Sequence, residues 1–172
     1  MNKSEEIDIG FKRTAKTFKS TDKNLKMLGK KIQDGELVIF PTETVWGLGA
    51  NALDGKAVSN IYKVKKRPTN NPLIVHCLGY YDAQTLCSLT NDERFWFKQI
   101  TNAFWPGPLT IVVKANKTVP QEVNRDSDYI ALRSPKHKVA RTLIRYSGCP
   151  IAAPSANISG KTSSTSLDHV YK

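Results

Sequence analysis

The chain has 172 residues, 40% of them apolar and 24% charged, which is the size and composition of one compact domain. No apolar run approaches the roughly 18 to 20 residues that cross a bilayer, which rules out a helical membrane span and, with this composition, argues against disorder. The formal net charge of +11 favours polyanionic partners such as nucleotides or nucleic acid, and residues 1–31 contribute nine Lys/Arg against four Asp/Glu to it. Cys77, Cys87 and Cys149 form no CxxC pair and read as reduced, buried thiols of a cytoplasmic protein. They do not combine with His76, His137 and His169 at zinc-site spacings, so no protein-bound structural metal is expected.

Residues 1–21 are polar and aperiodic and read as a flexible basic arm, with residues 22–172 as one domain. Glu5, Glu6 and Asp8 count against a mitochondrial presequence in the arm. Asp22 can cap a helix with Leu25, Leu28 and Ile32 on one face, ended by Gly35. The apolar run over 37–40, closed by Pro41, predicts a strand buried on both faces. Helical spacing returns at Ala57, Ile61 and Val64, followed by a strand over 73–77. A helix is predicted over 92–104, with Phe95, Trp96 and Ile100 as its apolar residues. Strands follow over 109–113 and 129–132, a helix over 139–146 and a last strand over 150–153. The pattern is that of an α/β protein with a mixed, largely covered sheet.

Three polar segments follow or precede these strands. Residues 41–52 form a predicted loop in which Thr42, Glu43 and Thr44 supply hydroxyls and one carboxylate, while Gly47 and Gly49 permit close backbone approach to a ligand. A dinucleotide fingerprint fails there: six residues separate the strand from Gly47, and no acidic residue lies between Asp54 and Asp82 to hold a ribose. Residues 63–72 place Lys63, Lys65, Lys66 and Arg67 on a turn stiffened by Pro68 and Pro72, with Asn71 beside them, which suits a triphosphate as well as a charged helix cap. In residues 152–163, Ser155, Asn157 and Ser163 can reach a phosphate or ribose. Gly160-Lys161-Thr162 imitates the end of a P-loop, yet Ser155 stands where its first glycine is needed. His76 leaves an apolar strand, and residues 104–110 form an aromatic turn whose default role is packing. No nucleophile elbow or cysteine–base pair is evident, leaving a cleft of cations, amides and hydroxyls suited to phosphorus chemistry.

Five ordered motifs resemble the YrdC-like domain of threonylcarbamoyl-AMP synthases. They are the run from Pro41 to Gly49; Lys65-x-Arg67-Pro68 with Asn71-Pro72-Leu73; Trp105-Pro106-Gly107-Pro108-Leu109-Thr110; Ala131-Leu132-Arg133-Ser134-Pro135; and Pro154-Ser155-Ala156-Asn157-x-Ser159-Gly160. The resemblance implies a twisted α/β sheet around a basic concave cleft. It further implies synthesis of L-threonylcarbamoyl-AMP and pyrophosphate from L-threonine, bicarbonate and ATP, for threonylcarbamoyladenosine modification of tRNA. By motif position, Lys65 and Arg67 would be catalytic. Lys65, Arg67, Asn71, Tyr129, Ser155, Asn157 and Ser163 would bind ATP, Tyr129 through its backbone. Thr44, His76, Arg133 and Ala153 would line the threonine pocket. Magnesium would arrive with ATP, RNA or tRNA is a further expected partner, and a downstream threonylcarbamoyl transferase complex would consume the product. The alternative is a non-catalytic RNA-binding module of the same fold; a segment of a larger hydrogenase-maturation enzyme is disfavoured, since neither acylphosphatase nor zinc-finger stretches accompany the motifs. Trp46 stands where the family generally has tyrosine, and the family domain continues beyond a point corresponding to Lys172, so its C-terminal part is expected to be missing.

Overall fold

A computed structural model describes residues 15–125 and 127–171, and residues 1–14 of the expected arm lie outside the described residues. Helix α1 (Asp22–Gln33) is capped by Thr21 rather than Asp22, its Oγ1 accepting from the Asn24 N–H at 3.3 Å. Leu25 and Ile32 are buried as the periodicity requires, and Gly35 leaves the helix at φ +87°. Gly29 faces helix α6 (Lys138–Ser147), where a Cβ would stand 2.7 Å from the Tyr146 backbone, so glycine permits the close crossing of the two helices.

Strand β1 (Val38–Pro41) pairs antiparallel with β2 (Trp46–Asn51) and lies at the sheet edge; Val38 and Phe40 are buried on one face, and Ile39, only partly buried, packs against the core on the other. Residues 46–51 of the predicted loop are thus strand. Helix α2 (Gly55–Lys65) starts at Asp54, whose Oδ1 accepts from the Lys56 and Ala57 N–H groups at 2.9 and 3.2 Å. Strand β3 (Ile74–His76), helix α3 (Tyr80–Ala83), helix α4 (Asn91–Phe104) and strand β4 (Thr110–Lys114) follow. Helix α5 (Gln121–Asn124), strand β5 (Tyr129–Arg133), α6, strand β6 (Ile151–Ala152) and helix α7 (Leu167–Val170) complete the order. The sheet runs β1-β2-β6-β3-β5-β4, with β3 and β5 parallel and every other pair antiparallel. It is the mixed α/β architecture expected.

Alternation along the strands gives the sheet two different faces. On one, Leu48, Ala50, Val75, Ile130, Leu132 and Ala152 pack with Ala57, Val58, Ile61 and Tyr62 of α2 and Phe97 of α4. On the other, Val38, Phe40, Ile151 and Ala153 pack under Ile32 of α1 and Leu143 and Ile144 of α6. Burying each such aliphatic side chain contributes about 1.5–3 kcal/mol. Toward β5 and β4 the second face opens, and Val112 and Tyr129 are exposed. Two helix faces differ from the periodicity. Val64 is exposed and Tyr62 buried in its place, while Phe95 and Trp96 stand 56% and 62% exposed and Phe97 points inward. Cys77 and Cys87 are buried thiols, but Cys149 is only partly covered. Among the described residues, no helix is long and apolar enough to cross a membrane.

Candidate active site

Lys65 is the last residue of α2, and Lys66 at φ +50° turns the chain in the left-handed region so that Arg67 leaves at the helix end. The Lys65 side chain, 4% exposed, donates through Nζ to the carbonyl oxygens of Ser155, at 2.6 Å, and of Asn157. Burial, and after it the positive charge of Arg67, pull its ammonium down to about 8. Lys65 therefore fastens the Ser155–Asn157 backbone to α2. Arg67, half-buried, donates from Nε to the Asn71 carbonyl and from Nη2 to the Pro72 carbonyl, each at 3.2 Å. Burial lowers its pKa too, yet a guanidinium stays charged at neutral pH.

Ser155 bridges Gly47 of β2. The Asn157 amide donates to the carbonyls of Ile158 and Lys161 at 2.9 and 2.7 Å. Those two acceptors fix the amide orientation and leave Oδ1 buried without a partner among the described residues. Beside it lies a cleft of about 620 Å³, lined by Asn157, Lys161, Ser163 and His169 among others. The structure thus joins Lys65, Ser155 and Asn157 directly, adds Arg67 and Asn71 through their shared turn, and sets Ser163 on the same cleft as Asn157. Tyr129 stands apart at the start of β5, and its backbone N–H is taken by Ser127 Oγ at 3.1 Å.

The expected threonine residues gather around Arg133, which is 7% exposed. Its Nη1 donates to Thr44 Oγ1 at 3.1 Å, its Nη2 to Glu43 Oε1 at 2.6 Å and its Nε to the Gly107 carbonyl at 3.3 Å. The sequence alone reads Glu43 only as the one carboxylate of the 41–52 loop and does not assign it to this pocket, since its partner is 90 positions away in sequence. Its other oxygen accepts from the Lys136 and His137 N–H groups at 3.0 and 3.4 Å. Burial raises the Glu43 carboxyl, but the Arg133 hydrogen bond and charge, with the backbone donors, outweigh it and hold the carboxyl below its ordinary value. The aromatic turn also gains a role: Gly107 accepts from Arg133 and donates to the Ser134 carbonyl at 2.8 Å, so the turn props the arginine.

His76 is paired in register with Arg133 and approaches the Ile151 carbonyl through Nδ1 at 3.3 Å. Burial, and then the Arg133 charge, push its pKa down to about 4, so the ring is neutral at physiological pH. Ala153 donates its N–H to the Ile74 carbonyl at 2.9 Å. Strand β3 runs from the Asn71 turn to His76, and β6 leads from Ile151, beside His76, through Ala153 to Ser155. Five strand residues span about 16 Å. The Lys65–Ser155–Asn157 cluster and the Arg133–Glu43–Thr44 cluster therefore lie toward opposite ends of one stretch of sheet. Gly49 serves packing, because a Cβ there would stand 2.6 Å from Phe40 and 2.7 Å from Ile151, whereas a Cβ on Gly47 would stand 3.3 Å from the Ala153 side chain.

A mixed α/β domain with these two polar clusters on neighbouring strands defines the class of protein. The Sua5_yciO_yrdC family model, described as "Telomere recombination", matches residues 30–172, and the chain belongs to that family. It is 48% identical over 139 residues to the threonylcarbamoyl-AMP synthase of Pyrococcus abyssi, covering 81% of this chain and 40% of the relative. A putative threonylcarbamoyl-AMP synthase of Methanocaldococcus jannaschii is 39% identical over 150 residues, covering 87% and 68% respectively. The crystal structure of Pyrococcus abyssi Sua5 complexed with L-threonine has a TM-score of 0.82 at 45% identity, covering 87% of this chain and 43% of that one. The chain thus spans less than half the length of the Pyrococcus relative.

Proposed function

We propose that the chain condenses L-threonine, bicarbonate and ATP into L-threonylcarbamoyl-AMP and pyrophosphate, for modification of tRNA in the cytoplasm. The observation that carries this reading is that the Lys65–Ser155–Asn157 cluster, with Arg67, and the Thr44–Arg133 pair lie toward the two ends of the neighbouring strands β3, β5 and β6. The names of the relatives, and the threonine in the Pyrococcus complex, support the substrate class.

Arg133 presents a planar fork to the threonine carboxylate, held in place by Glu43 and Gly107, and Thr44 lies against it. His76, neutral and buried, adds no charge to the pocket that receives the amino acid. Bicarbonate carboxylates the amine, water leaves, and a carbamate oxygen attacks the α-phosphorus of ATP as the bond to pyrophosphate breaks. Arg67 meets the charge that grows on the phosphoryl oxygens, and Lys65 holds the Ser155–Asn157 backbone against them. Catalysis here is positioning and electrostatics, with no covalent enzyme intermediate. Among the described residues no cluster of carboxylates, histidines or cysteines could hold a metal by itself, so a magnesium ion would be held by the ATP phosphates and water, where it would neutralise phosphate charge. The test is release of pyrophosphate from ATP by the purified chain with threonine and bicarbonate each present or omitted. Release that requires both supports the reading; release that ignores threonine, or none at all, contradicts it.

A further inference from the structure

Arg67 is gripped by main-chain carbonyls of residues 71 and 72, which lie on an exposed turn between α2 and β3. A carbonyl on such a turn holds a guanidinium in one place only if something rigid holds the carbonyl. Tyr62 does so. It is a buried residue of α2, and its hydroxyl donates to the same Asn71 oxygen at 3.1 Å. The two lone pairs of that oxygen are thereby shared between the Tyr62 hydroxyl and Arg67 Nε. Tyr62 also accepts the Arg67 backbone N–H at its own carbonyl, at 3.1 Å, so both ends of the arginine refer to one helical residue.

The Tyr62 ring is itself clamped from the far side. The guanidinium carbon of Arg125 lies 3.8 Å from the ring centroid. Two residues earlier, the carbonyl of Val123 in α5 accepts the Leu73 N–H at 3.0 Å, so α5 braces the end of the same turn. None of Tyr62, Arg125 and Val123 is among the residues assigned above to ATP or threonine.

We propose that Tyr62, braced by Arg125, is the positioning residue that aims Arg67 at the phosphates. The inference rests on the ATP reading for its consequence, but the positioning is a property of the protein without ligand. Among the described residues, Arg67 donates only from Nε and Nη2, which leaves the N–H groups of Nη1 for a ligand with their direction set through Asn71.

The test compares wild type with Tyr62→Phe, which removes the hydroxyl and keeps the ring, and with Arg125→Ala. Nitrogen-15 relaxation of arginine Nε–Hε groups, with the Arg67 signal assigned by its loss in Arg67→Lys, reads the order of the side chain without ATP. An ordered Arg67 Nε–Hε in wild type that becomes mobile in Tyr62→Phe, at unchanged melting temperature within a few degrees, supports the proposal. Equal order in both overturns it, whatever ATP does. Calorimetric titration with ATP is then expected to show about three- to tenfold weaker binding by Tyr62→Phe, the worth of one hydrogen bond, with threonine affinity unchanged. If wild type binds no ATP while Arg67 still loses its order in Tyr62→Phe, the positioning stands and the functional reading fails. If ATP and threonine weaken together, the role is general stability and the proposal falls.

Discussion

Acidification should expose the buried state of His76. The folded protein holds this imidazole at about 4 against 6.5 for an ordinary histidine, with burial as the main cause and the Arg133 charge second. The unfolded chain therefore takes up the proton at a higher pH than the folded one. The stabilisation is present above about pH 6.5 and is lost as pH falls toward about 4. The full gap corresponds to roughly 3 kcal/mol, of which roughly half falls between about pH 7 and about pH 5. Urea unfolding of wild type and His76→Asn at those two pH values isolates the contribution, because the remaining titrating groups are common to both. Wild type should lose roughly 1–2 kcal/mol more than the variant. Equal losses, or an NMR titration of the His76 ring centred near 6.5, would refute the assignment of a buried, neutral imidazole.

Four other outcomes are expected. Arg67→Ala should weaken ATP binding about 10- to 100-fold in calorimetry, as the loss of charge-assisted hydrogen bonds requires, with little change in threonine affinity. ATP affinity should fall as pH rises through about 8, where the Lys65 ammonium loses its proton and its hold on the Ser155 and Asn157 carbonyls; a profile flat to about pH 10 would contradict this. Gly49→Ala should lose about 1–3 kcal/mol in urea unfolding, because its methyl would collide with Phe40 and Ile151. Thr90→Ala should cost about 0.5–2 kcal/mol, since it removes the capping box in which Thr90 Oγ1 accepts from Glu93 N–H and Glu93 Oε2 accepts from Thr90 N–H.

Where short-range pattern decides structure, the sequence was legible. The spacing of Leu25, Leu28 and Ile32 marks α1, and the apolar runs mark β1, β3, β4, β5 and β6 within a residue or two. Strand β2 was hidden because Gly47 and Gly49 lower its strand propensity, and the reason for glycine at position 49, the bulk of Phe40 and Ile151, comes from neighbouring strands. In α4, Phe95, Trp96 and Phe97 are consecutive, so periodicity alone could not choose which of them faces the core. The site divides the same way. Lys65, Arg67, Asn71, Ser155 and Asn157 were recognisable as motifs, but spacing could not reveal that Lys65 spends its hydrogen bonds on carbonyls about 90 residues on. Glu43 was visible as a lone carboxylate, and its role emerges only when folding brings Arg133 and the start of α6 against it.

The central claim is that a triphosphate and a threonine lie side by side along β3 and β6. A crystal structure with both a non-hydrolysable ATP analogue and L-threonine tests it most directly. The account predicts phosphate oxygens within hydrogen-bond distance of Arg67 and the Ser155 segment, and the threonine carboxylate on Arg133 with its hydroxyl or amine near Thr44. Finding the two ligands on different faces of the sheet, or the analogue bound away from Arg67, would contradict it.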